Sequence, residues 1–262
     1  MRVVQEGGVF WGLGMYASGS TWVFNVLLLV AQALAPDRPR VSKFVSSAAD
    51  LGNLEAGERL VFVKTHDTDK AAAAALEKVA RLIVVSIRDP LDVVASAVQY
   101  QRMPFAKALA ITEASALQCA RFAADKRALL LRYESGFVDD PTTLDRIAAR
   151  MGGVLAPAER ARIFAATRRD EVERYIATIP KKPGVLIHRP TGDLLDPATH
   201  WHTHHAGRTG EVGRWRRTLS PEQALQVQTR MRDWMEANFY PTDRVRPAAG
   251  GEGDAAQSSQ AS

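Results

Sequence analysis

Four groups of residues have the types and spacing for chemistry on an anionic substrate. The first, Ala17-Ser18-Gly19-Ser20-Thr21, joins an apolar strand-like run to an apolar stretch that starts at Trp22. Strand, glycine-serine turn and helix start together aim backbone N–H groups and the positive end of a helix at a phosphate. Such loops usually add a lysine, yet Ala17 stands just before Ser18 and the first lysine of the chain is Lys43. The second group, Lys64-Thr65-His66, closes another apolar run. Residues two apart on a strand share a side, so this spacing puts a cation and a near-neutral base at one edge. A histidine there can take a proton from a hydroxyl, and Lys64 can meet charge on a transferred group. The third group is Arg88 with Ser96 eight residues on, a guanidinium fork and a hydroxyl suited to a second phosphate. The fourth, Arg208-Thr209-Gly210, heads an arginine-rich run to Arg217 and can clamp phosphate.

Each group also has a plainer reading. Lys64 and His66 can be polar residues that merely end a strand, and Arg88 can pair with Asp89 or Asp92 on the surface. The stretch His200-Trp201-His202-Thr203-His204-His205 holds four of the six histidines. Extended, it would put His200, His202 and His204 on one side, an acceptable arrangement for zinc. No acid or cysteine stands beside them in sequence. A loop covering a binding site is the preferred reading over a metal site.

These groups need a scaffold that collects strand ends. Apolar runs at residues 9–14, 60–63, 82–87 and 128–133 predict strands covered on both faces. Helical patterns at 21–35, 71–80, 91–101 and 105–126 lie between them. The alternation predicts an α/β fold of three layers, a central parallel sheet flanked by helices, with function at the C-terminal strand edge. Beyond Tyr133, amphipathic helices are predicted at 141–151, 157–167 and 170–177, and a last one at 220–238 opened by Ser220-Pro221-Glu222. The proline-rich segment 179–205 is predicted to be irregular, as binding loops often are. Residues 1–245 are expected to form a single domain and 246–262 a disordered tail.

Composition narrows the partners. Hydrophobic content of 46% and charged content of 24% suit a chain of 262 residues with a sizeable core. A net charge of +5, spread over scattered arginines, favours an anionic partner. No base-reading motif accompanies it, so a phosphorylated small molecule is expected rather than nucleic acid. The single cysteine, Cys119, excludes an internal disulfide. The longest apolar stretch, 23–35, is broken by Asn25 and Gln32 and is too short to span a bilayer. It also lies too far behind Glu6 for a signal peptide. A cytoplasmic location without stable membrane insertion is expected.

The order of the four groups resembles that in the sulfotransferases that use 3′-phosphoadenosine 5′-phosphosulfate (PAPS). The resemblance implies that Ser18, Gly19, Ser20, Thr21 and Trp22 cradle the 5′-phosphosulfate. It implies that Lys64 supplies a cation, that His66 is the general base, and that Arg88 and Ser96 bind the 3′-phosphate. Leu131-Arg132-Tyr133-Glu134, ahead of Asp140-Pro141, is similar to the family's Tyr-Glu-Asp segment and implies a place for Tyr133 near the nucleotide base. Arg208-Thr209-Gly210, before Gly213-Arg214-Trp215, is similar to its terminal Arg-Lys-Gly pattern. By position, Trp22 falls where the family stacks a tryptophan on adenine, and Thr167 where a threonine touches the base. The match runs from about residue 10 to 240. It implies a P-loop-NTPase-like sulfotransferase fold and transfer of a sulfuryl group, without metal, to a hydroxyl or amine of a small-molecule acceptor. Ala17 and Thr209 depart from the pattern, since lysines are common at both places, and Lys64 is expected to compensate. Two other readings stay open. One is a P-loop kinase or NTPase, which would want a loop lysine and a magnesium-holding carboxylate. The other is a non-catalytic nucleotide-binding protein of the same fold. The acceptor and the oligomeric state are not legible; the acceptor pocket is expected from 41–53, 101–105 and 181–205.

Overall fold

The computed structural model describes residues 3–52, 54, 57–188, 192–205 and 210–245. Five parallel strands form one sheet: β1 (Gly8–Gly14), β2 (Arg40–Phe44), β3 (Leu60–Thr65), β4 (Ala80–Ile87) and β5 (Ala128–Arg132), in the order β2-β3-β1-β4-β5. Helices α1 (Ser20–Leu34), α2 (Lys70–Val79), α3 (Pro90–Tyr100) and α4 (Phe105–Ala123) fill the connections. Then come α5 (Thr142–Arg150), α6 (Pro157–Thr167) and α7 (Arg169–Thr178). The α/β, three-layer expectation holds.

The period of two along β1 explains the layers. Val9, Trp11 and Leu13 enter one core with α2, α3 and α4, while Phe10 enters the other with α1, α5 and α6. Because both faces are covered, every residue of β1 and of β3 is buried. Leu13 stands opposite Thr65, and Gly14 opposite Ser86. The ends of β1, β3 and β4 are therefore level, with the crevice between β3 and β4 at the end of β1. Strand order reverses on either side of β1, and ligands of open α/β sheets bind at such a reversal.

Three segments differ from the sequence reading. Strand β2 lies where a loop was expected; it is an edge strand, largely exposed, so it lacks the continuous apolar run used to find the others. The irregular segment contains an antiparallel hairpin, β6 (Leu186–His188) with β7 (Asp193–Leu195). After a short α8 (Trp215–Thr218), the last predicted helix is two, α9 (Pro221–Arg230) and α10 (Arg232–Ala237). They break at Met231, whose φ of −108° and ψ of 13° leave the helical region. The start was read correctly: Ser220 and Gln223 form a reciprocal capping box. Cys119 is buried. Among the described residues no helix is long and apolar enough to cross a membrane. The tail 246–262 lies outside the described residues.

Candidate active site

The loop after β1 is built from the inside. Gly14 has no room for a side chain, since a Cβ there would lie 2.3 Å from the Ser86 hydroxyl and 2.6 Å from the Ser20 Cβ. Ser18 is fully buried, and its hydroxyl bonds the Met15 carbonyl at 2.6 Å and the Ser86 hydroxyl at 2.8 Å. Its N–H also goes to the Met15 carbonyl. Ser18 thus braces the loop from within. Ala17 takes a left-handed φ of 53°, and Gly19 one of 80°. Gly19 is the N-cap of α1 and no side chain caps that end, so the first-turn N–H groups of Gly19 to Trp22 lack intrahelical acceptors. Gly19→Ala would add the cost of a left-handed alanine and bring a Cβ to 3.1 Å from the Phe137 ring. The expected loss is about 1–2 kcal/mol, read as a lower denaturation midpoint at unchanged slope.

Lys64, at the end of β3, is 4% exposed and donates from Nζ to the Thr21 hydroxyl at 2.8 Å, in the first turn of α1. Burial pushes its ammonium pKa down to about 7. His66 follows just past β3, with Nδ1 2.7 Å from the Gly14 carbonyl. A carbonyl only accepts, so Nδ1 carries the proton and Nε2 holds the lone pair. Burial, the neighbouring Lys64 and His202 drive the imidazole pKa down to about 3, against the Gly14 bond that raises it. The ring is held by Tyr16, stacked at 4.3 Å, whose hydroxyl donates to Asp67 at 2.6 Å.

Arg88 is buried, not on the surface as its plainer reading would have it. Nη1 donates to the Ala17 carbonyl at 3.0 Å and Nη2 to the Glu211 carbonyl at 2.8 Å. It lies 3.6 Å from the Asp92 carboxylate and stacks 4.3 Å over the Tyr133 ring. Its buried Nε–H has no protein acceptor among the described residues. Tyr133 also flanks Gly19 and Gly210: a Cβ on Gly210, whose φ is 56°, would lie 2.0 Å from the tyrosine hydroxyl. Trp22 and Thr167, assigned separately to one adenine site, are in contact, the indole N–H donating to the Thr167 carbonyl at 3.0 Å. Trp22 also packs on Phe137. Ser96 is half-buried on α3, two turns beyond Arg88. Arg208 and Thr209 lie outside the described residues.

Some contributors are not visible in the motifs. Asp92 accepts from the N–H groups of Gly213, at 2.7 Å, and Trp215, at 3.0 Å, tying the C-terminal arginine run to α3. Arg244 forks onto Asp89 at 2.6 and 3.1 Å, and Tyr240 bonds Glu134 at 2.8 Å. These pairings join residues more than 100 positions apart, which no local spacing signals. His200 is 7% exposed and has a left-handed φ of 54°. Its ring meets Phe24 at 4.8 Å and Phe44 at 6.2 Å, while Phe44 also faces His66 at 6.0 Å. The histidine-rich segment thus adjoins His66, and Phe44 enters from the unpredicted β2. An acid does stand beside these histidines in space, Asp193 of β7, although none stands beside them in sequence.

A five-stranded parallel sheet between two helical layers is the fold of solved sulfotransferase structures. Mouse sulfotransferase SULT7A1, complexed with PAP, gives a TM-score of 0.59 at 19% identity, over 90% of this chain and 88% of that one. Retinol dehydratase in complex with androsterone and the inactive cofactor PAP gives 0.58 at 18% identity, over 94% of this chain and 84% of that one. Retinol dehydratase with retinol and PAP gives 0.55 at 18% identity over the same shares. No family profile matches the sequence, and no curated protein matches it. The likeness is one of fold.

Proposed function

We propose that this protein is a sulfotransferase that moves a sulfuryl group from PAPS to a hydroxyl or amine of a small-molecule acceptor. The observation that carries this reading is the meeting of three groups at one sheet edge. They are the uncapped N–H groups that start α1, a buried lysine of β3 bonded to its first turn and a histidine anchored through Nδ1. PAP, adenosine 3′,5′-bisphosphate, occupies the fold relatives, and it is the product this reaction leaves.

In the proposed step the acceptor oxygen attacks sulfur in line, the bond from sulfur to the phosphate oxygen breaks, and His66 Nε2 takes the acceptor proton. Charge grows on the leaving phosphate. Fixed donors aimed at that charge lower the barrier: Lys64 and the N–H groups of Gly19, Ser20 and Thr21. A loop lysine is dispensable on this account because Lys64 reaches the same helix turn from β3. Arg88, Ser96, Arg208, Thr209 and Gly210 hold the 3′-phosphate and position the donor. The Arg88 Nε–H, without a protein acceptor among the described residues, is a donor that such a phosphate would take. Trp22, Thr167 and Tyr133 frame the adenine. A cluster of Tyr16, Phe44 and His200 beside His66 supports a small acceptor with apolar surface, in keeping with the androsterone and retinol bound by retinol dehydratase.

The test is release of adenosine 3′,5′-bisphosphate from PAPS in the presence of phenols, alcohols and amines. Acceptor-dependent release is expected. The alanine at position 17 supports a second reading, nucleotide binding without transfer, and tight bisphosphate binding with no release across the panel would favour it. Magnesium-dependent phosphoryl transfer from ATP would overturn both.

A further inference from the structure

The hairpin β6–β7 and the turn Thr203–His205 bring together a carboxylate and several imidazoles. Asp193 opens β7, and a bridge between Leu195 and His202 returns the chain over it. Asp193 is 8% exposed. One of its oxygens meets His202 Nδ1 at 2.7 Å and also His204 Nδ1. The other accepts from the Thr203 hydroxyl at 2.5 Å and the His204 N–H at 2.9 Å. One ligand atom from each of Asp193, His202 and His204 lies within 4.8 Å of the others. The His205 ring packs 4.4 Å from that of His204 and 5.2 Å from that of His202.

Among the described residues no lysine or arginine pairs with Asp193; its ionic partners are the two imidazoles. A carboxylate withdrawn from water is costly unless a cation or a metal meets it. We infer that Asp193, His202 and His204 bind one divalent transition-metal ion of the zinc class. Two imidazoles with one carboxylate is a donor set for zinc, whereas magnesium and calcium prefer oxygen alone. The fourth position falls to water or to His205. This ion takes no part in the transfer chemistry. It joins the hairpin to the turn following His200, whose ring packs on Phe24 and Phe44 beside His66, and so fixes one wall of the acceptor region. The inference does not depend on the sulfotransferase reading, because its readout is metal binding.

The experiment uses the full chain without an affinity tag, stripped with EDTA and dialysed. Titration with cobalt(II) is expected to give the visible bands of a four-coordinate site, saturating at one equivalent, with zinc displacing the cobalt and raising the melting temperature. Asp193→Asn and His204→Gln are each expected to weaken binding by about tenfold or more. Should either variant fail to fold, the wild-type chain still decides: bound zinc should protect His202 and His204 from acylation by diethylpyrocarbonate, mapped by mass spectrometry. The absence of a saturable cobalt signal, binding undiminished by both substitutions, or unprotected histidines in the presence of zinc would each overturn the site.

Discussion

His66→Ala is expected to lower acceptor-dependent turnover by roughly 10²–10⁴-fold, with adenosine 3′,5′-bisphosphate affinity changed by no more than about twofold. The reason is geometric. His66 Nδ1 is committed to the Gly14 carbonyl, which leaves Nε2 for the proposed base role, while the residues proposed to hold the bisphosphate, the loop and Arg88, stand on other elements. His66→Asn separates chemistry from architecture, because its amide can still donate to Gly14 but cannot take the proton. Both variants should lose turnover equally in steady-state assays with saturating PAPS. Turnover retained in His66→Asn would remove His66 from the base role and leave it a structural one.

Lys64→Met is expected to lower turnover by roughly 10²–10³-fold and, unlike the histidine change, to weaken bisphosphate binding as well. The lysine is buried, its one hydrogen-bond partner among the described residues is the Thr21 hydroxyl, and burial pushes its pKa down to about 7. A bound phosphate favours the ammonium, so binding takes up a proton wherever free Lys64 is neutral. Affinity should then fall about tenfold per pH unit above 7, and calorimetry in buffers of different ionisation enthalpy should register that proton uptake. In Lys64→Met this fall should vanish. The stability of the ligand-free protein moves in the opposite sense. Between about pH 7 and the ordinary lysine value of about 10.4, the unfolded chain holds a proton that the folded chain lacks. Lys64 therefore costs stability in that window, and the cost shrinks as pH rises through it. Lys64→Met should accordingly melt higher than wild type at pH 7 while binding ligand less well. Equal melting temperatures with unchanged bisphosphate affinity would remove Lys64 from the site.

The sequence showed the strands whose residues form apolar runs, including β5, which is only partly buried at the sheet edge, and concealed β2. Strands β1, β3 and β4 read as unbroken apolar runs because helices cover both faces; β2, exposed at the edge, gave no such run. The loop, Lys64-Thr65-His66 and Arg88 were legible because strand ends converge by topology, so local motifs at those ends become neighbours. Contacts made by return of the chain were not legible. Asp92 with Gly213 and Trp215, Arg244 with Asp89, and Trp22 with Thr167 all need the third dimension. The histidine segment shows the same limit. Its alternation suggested His200, His202 and His204 on one side, whereas the left-handed turn at His200 sends that ring onto Phe24 and leaves His202 and His204 to Asp193.

The most direct measurement is thermal unfolding with adenosine 3′,5′-bisphosphate, compared with ADP and with ATP–magnesium. At a hundred times its dissociation constant, a ligand adds about 2.7 kcal/mol to stability, a readily measured rise in melting temperature. A rise with the 3′,5′-bisphosphate and little with the other two is expected from a site that grips two separate phosphates without metal. A rise with ATP–magnesium alone would contradict the account and return the loop to a kinase or NTPase.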